Sequence, residues 1–311
     1  MSASLAFVFP GQGSQALGML AEHAAQPLLR DTFAEASEAL GYDLWALTQQ
    51  GPQEQLNQTD KTQPAILTAS IALWRLWLGE GGVRPSFLAG HSLGEYSALV
   101  AAESLSLAAA VKLVERRGQL MQQAVPAGQG GMAAILGLDD AQVLAACAEA
   151  AQGEVVSAVN FNAPGQVVIA GAAAAVQRAI EACKARGAKR AMPLPVSVPS
   201  HCALMRPAAE QFAEAVCAID WQLPRIAVVQ NVSAAEVVDI EGLKRDLLAQ
   251  LYNPVRWVES VVHLAENGVT HLVECGPGKV LSGLNKRCVK DISTFNLDTS
   301  AAFTATRAAL A

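Results

Sequence analysis

The stretch "SFLAGHSLGEYSALVAA", residues 86 to 102, decides how the chain is read. A short apolar run reaches Gly90, then Ser92 and Gly94 complete the G-x-S-x-G spacing, and a helical pattern follows at once. Where an apolar strand turns sharply into a helix, small residues must flank the central serine, because backbone crowds against backbone. The turn lifts the hydroxyl over the helix N-terminus, where the backbone N–H of Leu93 can point at a developing oxyanion. In this context Ser92 is a candidate nucleophile. Without it, the same spacing describes a tight turn with an inert serine.

Working outward, "LAFVF" (residues 5 to 9), helical segments to about residue 80, "SFLAG" (86 to 90) and two more helices alternate in the rhythm of an α/β fold with a parallel sheet. "GQGG" at 128 to 131 marks a break. Beyond it "MAAILG" reads as strand, "DAQVLAACAEAA" as helix and "VVSAVNF" as strand, and "NAPG" as a turn. "QVVIAG" then reads as strand, "AAAVQRAIEACKARG" as helix and "AKRAMPLPVS" as strand. This βαββαβ succession is the ferredoxin-like order. The expectation is a small domain over residues 128–197 inserted into a discontinuous large α/β domain made of residues 1–127 and 198–311. After Pro199, "IAVVQNV" and "THLVECG" read as strands of the large domain, and "EGLKRDLLAQL" as a helix stopped by Pro254.

Composition narrows the function classes. With 311 residues, 52% of them apolar, the chain can bury a large core. Twenty-two Lys and Arg against 28 Asp and Glu give a net charge of −6, with no long basic run, which argues against a nucleic-acid partner. No apolar run reaches membrane-spanning length: "AILTASIALWRLWLG" is broken by Arg75, and "MSASLAFVFPG" lacks the charged n-region of a signal peptide. A cytoplasmic protein is expected. The six cysteines, at 147, 183, 202, 217, 275 and 288, form no C-x-x-C pair and no zinc spacing, so they read as reduced, mostly buried thiols.

A serine nucleophile needs a base, and the chain offers His23, His91, His201, His263 and His271. His91 adjoins Ser92 and reads as a packed elbow residue pointing away from it. His23, His263 and His271 carry no accompanying signature. His201 lies in "PVSVPSHCALMRP", an irregular Pro-bounded segment where the chain re-enters the large domain, the kind of loop that carries catalytic groups. The order Ser then His also suits an α/β-hydrolase-like arrangement. No Asp or Glu stands out as the group that orients the imidazole, and the residues alone leave that partner open. Arg117 has Leu113, Val114, Leu120 and Met121 three and four residues away, so it sits in an apolar stripe, whereas Arg116 looks solvated. A guanidinium there is either in a structural ion pair, or snorkels, or awaits a substrate carboxylate.

A second glycine-rich stretch invites a different reading. In "LAFVFPGQGSQALG", residues 5 to 18, Gly11, Gly13 and Ala16 have the spacing of a dinucleotide-binding turn. That turn needs an acidic residue ending a second strand about 20 residues further on. Asp31 has the distance but sits in "LLRDTFAEASEAL", which reads as helix, and Pro10 interrupts the step from strand to glycine. No cofactor loop is expected here.

"FPGQGSQ" (9–15), "TQPA" (62–65), "GHSLGE" (90–95), "RG" (117–118), "PSH" (199–201) and "QLYNPVRW" (250–257) occur in that order. Together they closely resemble the malonyl-CoA:acyl carrier protein transacylases of fatty-acid synthesis, over nearly the whole chain. The resemblance implies an α/β-hydrolase-like core with a ferredoxin-like insert, and a ping-pong transfer in which Ser92, deprotonated by His201, takes malonyl from coenzyme A and passes it to the phosphopantetheine thiol of acyl carrier protein. It further implies backbone N–H groups of Gln12 and Leu93 as the oxyanion hole, the backbone carbonyl of Gln250 as the group orienting His201, and Arg117 as the bidentate partner of the malonyl carboxylate. No cofactor, no metal and a monomer are expected. Arg190, Lys286, Arg287 and Lys290 are candidate contacts for coenzyme A phosphates or an acidic carrier protein, with ordinary surface charge as the plain alternative.

Rival readings are a serine esterase or thioesterase, the same transacylase chemistry serving a malonate decarboxylase or a polyketide pathway, and a non-catalytic module that binds carrier protein. The motifs report the acyl group and leave the acceptor open.

Overall fold

The computed structural model describes residues 4–196 and 198–311; Met1 to Ala3 and Ser197, the last residue of the expected insert, lie outside the described residues. In chain order the strands are β1 (Ser4–Phe9), β2 (Phe87–Gly90), β3 (Gly130–Leu136), β4 (Val156–Ala163), β5 (Gln166–Ala172), β6 (Arg190–Pro193), β7 (Ala227–Val229), β8 (Val269–Glu274) and β9 (Ser293–Asn296). They form two sheets. One is wholly parallel, in the order β7-β2-β1-β8-β9; the other is antiparallel, in the order β4-β5-β3-β6.

The sequence of β1 explains its central place. Leu5, Phe7 and Phe9 enter one core cluster and Ala6 and Val8 enter another, so both faces of the strand are covered. Such a strand reads as an unbroken apolar run and suits a parallel sheet with helices on both sides. Phe7 meets the rings of Trp74 and Trp77 at 5.3 and 5.4 Å, which pins the helix Thr59–Gly79 across the sheet. Within that apolar helix Arg75 pairs with Glu35 at 2.6 Å. No helix among the described residues is long and apolar enough to cross a membrane.

The antiparallel sheet carries the helices Asp140–Ala151 and Ala173–Ala185, and Val143, Cys147, Val176 and Ile180 share a core cluster with Ile135 and Ile169. The sheet is tied to the large layer along β4. Phe161 N–H donates to the Val255 carbonyl at 3.0 Å, and Val255 N–H donates to Val159 at 2.9 Å. This places the smaller layer over the carboxyl ends of β1 and β2, where the crevice of an open parallel sheet takes its ligands.

Of the elements that are shorter than the sequence pattern predicts, three have a clear physical reason. The strand read through Val232 ends at Val229, because Gln230 and Asn231 turn their amides toward Glu95 instead of continuing the ladder. The helix read to Leu251 ends at Ala249, where Asn253 Nδ2 caps the Ala249 carbonyl at 2.9 Å before Pro254 is reached. The strand read over 188–197 is Arg190–Pro193, since Pro193 and Pro195 have no N–H to offer a ladder.

Candidate active site

β2 delivers the chain into a turn that only small residues permit. A Cβ on Gly90 would lie 1.9 Å from the backbone carbon of Gly94, and one on Gly94 would lie 2.0 Å from the Phe9 carbonyl oxygen. Ser92 between them has φ of 53°, a left-handed conformation that costs a non-glycine residue roughly 1 kcal/mol or more. The strain is held by Asn231, whose Oδ1 accepts from Ser92 N–H at 2.7 Å and whose Nδ2 donates to the Gly90 carbonyl at 2.6 Å. The Ser92 hydroxyl is thereby aimed at His201.

His201 also has a positive φ, 64°, and is almost wholly buried. Its Nε2 is 2.7 Å from Ser92 Oγ and its Nδ1 is 2.6 Å from the backbone carbonyl of Gln250. A carbonyl can only accept, so Nδ1 carries the proton and Nε2 presents its lone pair to the serine. Burial, and then the nearby Arg117 cation, push the imidazole down to about 3, against the opposing pull of the Gln250 carbonyl. The ring is neutral at ordinary pH and ready to accept a proton.

Arg117 is 1% exposed and belongs to the helix Leu107–Ala124. Nη1 donates to Gln63 Oε1 and Nη2 to Gln250 Oε1, both at 2.9 Å, and Nη2 lies 3.4 Å from Ser92 Oγ. Among the described residues it makes no ion pair, and its Nε has no partner. After the glutamines are served, Nη1 keeps a second proton, and the second proton of Nη2 goes to Ser92 Oγ in a long 3.4 Å contact that an anion beside the serine can take over. Of the two alternatives to a substrate clamp, neither the direct structural ion pair nor snorkelling is what the structure contains.

Gln12 and Leu93 line the same cleft as Ser92, Arg117 and His201. Among the described residues neither backbone N–H has a hydrogen-bond partner, which leaves both amides available to an anion. The loop of Gly11 to Ser14 is folded on itself by Ser14 Oγ donating to the Gly11 carbonyl at 2.9 Å, and Gln12 Nε2 reaches Thr59 Oγ1 at 3.4 Å. His91 packs as expected. Its Nε2 meets Asn162 Oδ1 at 2.7 Å and its ring lies 5.4 Å from that of Trp257. His23, His263 and His271 find partners elsewhere, in the Asp298 carbonyl, Glu236 and Thr270.

The basic candidates lie outside this cluster. Arg190, Lys286 and Lys290 are exposed. Arg287 is engaged within the chain, with Nη1 on Gln166 Oε1 at 2.5 Å and Nη2 on the Pro164 carbonyl at 2.8 Å, and so clasps the β4–β5 turn to the large layer.

Comparison with known proteins agrees with this geometry. The model of the acyl transferase domain family matches residues 6–304. The malonyl CoA-acyl carrier protein transacylase of Salmonella typhimurium is 61% identical over 301 residues, covering 96% of this chain and 97% of that protein. The solved malonyl CoA-acyl carrier protein transacylase of Coxiella burnetii superposes with a TM-score of 0.98 at 48% identity, covering 100% of this chain and 98% of that one. A malonyl-transacylase solved in complex with a type II PKS acyl-carrier protein superposes with a TM-score of 0.97 at 55% identity, covering 99% and 100%.

The chain belongs to the acyl transferase family.

This acyltransferase uses residues at its centre that the sequence reading did not single out. Gln63 lies in the quoted "TQPA" and holds Arg117, yet nothing in its surroundings marked it. Asn231 sits in an apolar strand pattern as a polar interruption. Glu95 is fully buried in the helix Gly94–Ala101, and an acid amid "GEYSALVA" is the same signal that marked Arg117.

Proposed function

We propose that the protein transfers malonyl from malonyl-CoA to the phosphopantetheine thiol of acyl carrier protein through a malonyl-serine intermediate, and thereby supplies fatty-acid synthesis. The observation that carries it is the pairing of two arrangements at one serine. Ser92 Oγ lies 2.7 Å from a neutral imidazole and 3.4 Å from a buried guanidinium that makes no direct ion pair among the described residues. The first makes a nucleophile; the second selects an acyl group that ends in a carboxylate.

In the first half-reaction His201 Nε2 takes the Ser92 proton as Oγ attacks the thioester carbonyl. The carbonyl oxygen, now an anion, accepts from the N–H groups of Gln12 and Leu93. The C–S bond breaks, the imidazolium returns its proton to sulfur, and coenzyme A leaves as the thiol. In the second half-reaction the carrier thiol gives its proton to His201, sulfur attacks the serine ester, and the C–O bond breaks as Ser92 regains the proton. Arg117 holds the malonyl carboxylate throughout by two charge-assisted hydrogen bonds. Acetyl would leave the cation facing a methyl group, and that penalty falls on the rate.

The balance of this reaction closes with no cofactor and no metal. Free thiols at all six cysteines support work in the reducing cytoplasm, and the enzyme acts as a monomer. Exposed Arg190 and Lys286 are proposed to meet the acidic carrier protein or coenzyme A phosphates; Arg287, already hydrogen-bonded within the chain, contributes more to holding the two layers together. The complex of a similar transacylase with a type II PKS carrier favours one second reading, in which the acceptor belongs to polyketide synthesis.

The test is mass spectrometry of the intact protein after exposure to malonyl-CoA, with peptide mapping. A malonyl adduct on the peptide containing Ser92, discharged by added carrier protein, is expected. An adduct elsewhere, or free malonate released over many turnovers without acceptor, overturns the proposal.

A further inference from the structure

Beneath the elbow lies a carboxylate that the transfer steps do not use. Glu95 is fully buried, and every polar contact it has comes from a donor. Its Oε2 accepts from Asn231 N–H and from Gln250 Nε2, each at 2.9 Å, and its Oε1 accepts from Gln230 Nε2 at 3.3 Å. Gln250 then has only one workable orientation. Its Nε2 faces Glu95 and the Ser92 carbonyl, so its Oε1 must face Arg117 Nη2. A carboxylate, an amide and a guanidinium stand in a row.

A buried guanidinium needs a negative charge somewhere near, since isolated burial is costly. Among the described residues no carboxylate touches Arg117. Direct contact would also neutralise the cation and occupy the donors that an acyl carboxylate needs. We propose, resting on the acyl-transfer role given above, that Glu95 is a positioning residue: it is the counter-charge of Arg117, set one amide away through Gln250, which holds the guanidinium in place yet leaves it free for substrate. The same Gln250 presents its backbone carbonyl to His201, and Asn231, whose N–H Glu95 accepts, pins the Ser92 turn. The charge therefore also favours the imidazolium that forms when the serine proton moves.

Glu95→Gln tests the charge apart from the shape. Its remaining oxygen still accepts from Asn231 and Gln250, and its NH2 faces Gln230, whose amide must turn its oxygen inward and give up the 3.4 Å bond to the Leu243 carbonyl. With the counter-charge gone, kcat falls about tenfold while KM for malonyl-CoA stays level or drops, because Arg117 then has only the substrate as its anion. Glu95→Asp keeps the charge and is expected to hold kcat within about threefold. Unchanged kcat in Glu95→Gln, a KM that rises in step with the loss, or an equal loss in Glu95→Asp overturns the proposal. Should Glu95→Gln fail to fold, the two constants of Glu95→Asp decide alone.

A pH profile separates this from simple support. Burial lifts the Glu95 carboxyl to about 7, against its three donors. The charged and titratable groups that act on it are Asp246 from the helix Ile240–Ala249, Arg117 from the helix Leu107–Ala124 and Tyr96 of its own helix, while His201 is reached only through Gln250. The parent kcat rises through about pH 7 as Glu95 ionises, and that limb is absent in Glu95→Gln. A limb that persists in the variant refutes the role. Absence of a malonyl adduct on Ser92 in the parent would instead overturn the transferase assignment, so the two failures are told apart.

Discussion

Replacing Arg117 by Ala tests the proposed acyl clamp apart from every other part of the site. The guanidinium donates to two neutral glutamine oxygens at 2.9 Å, keeps a second proton on Nη1, and holds the second Nη2 proton only in a 3.4 Å contact with Ser92 Oγ, so it can turn two protons to an incoming carboxylate. A charge-assisted hydrogen bond is worth about 1.5–3 kcal/mol, so losing two costs the malonyl transition state about 3–6 kcal/mol. At about 1.4 kcal/mol per decade, kcat/KM for malonyl-CoA falls about 100- to 20,000-fold. Acetyl-CoA makes no use of the clamp and meets a buried cation in the parent, so its kcat/KM stays level or rises in Arg117→Ala. The readout is the ratio of the two kcat/KM values, measured with the same carrier protein or with a small thiol acceptor. Losses of equal size on both substrates would mean that Arg117 supports the fold or His201 instead of the acyl carboxylate, and the reasoning would fail.

Asn231→Ala removes both hydrogen bonds that hold the elbow. A loss of about 2–3 kcal/mol in unfolding free energy is expected by denaturant titration, with a fall in the rate of Ser92 acylation; full stability together with full activity would contradict the strain account. Gly90→Ala places a Cβ 1.9 Å from the backbone of Gly94, and is expected to cost more than about 3 kcal/mol or to abolish folding; a variant melting with the parent would show that the turn has room. In a melting series His201 and Glu95 act with opposite sign. The imidazole is held below its usual value, so its contribution is present above about pH 6.5 and is lost as pH falls toward 3. The Glu95 carboxyl is lifted, so its contribution is present at low pH and is lost as pH rises through about 7. The melting temperature of Glu95→Gln relative to the parent should therefore climb between pH 5 and 8, and a flat difference would remove the pH assignment.

The layers were legible because the patterns that encode them are local. An apolar run such as "LAFVF" and the βαββαβ succession after residue 130 declare their period without reference to the rest of the chain, and both appear as parallel and antiparallel sheets. The Ser92 elbow was legible for the same reason, since crowding restricts residues 90 and 94 to glycine. The partner of His201 was not legible from the residues alone. A backbone carbonyl has no side-chain signature, so the resemblance to a known family had to supply Gln250. Gln63, Asn231 and Glu95 were missed because their roles arise from contacts 54, 139 and 155 residues away along the chain.

The charge count of the site explains why a carbonyl orients the histidine. A carboxylate placed where the Gln250 carbonyl lies would stand beside Arg117, whose Nη2 already reaches the Gln250 side chain, and would pair with it. The imidazolium would gain from the stronger partner, but the clamp would be spent before substrate arrived. With a neutral carbonyl in that place, the nearest acid is Glu95 behind the amide, and Arg117 meets the substrate as a cation. On the role proposed for Arg117, a malonyl group brings the anion to the cleft beside Ser92. An acyl group without that anion enters a site whose positive charge is met only through an amide. On the roles proposed for Arg117 and Glu95, recognition of the acyl group and activation of the serine are one electrostatic arrangement, and an acid in direct contact with Arg117 would weaken the preference for malonyl.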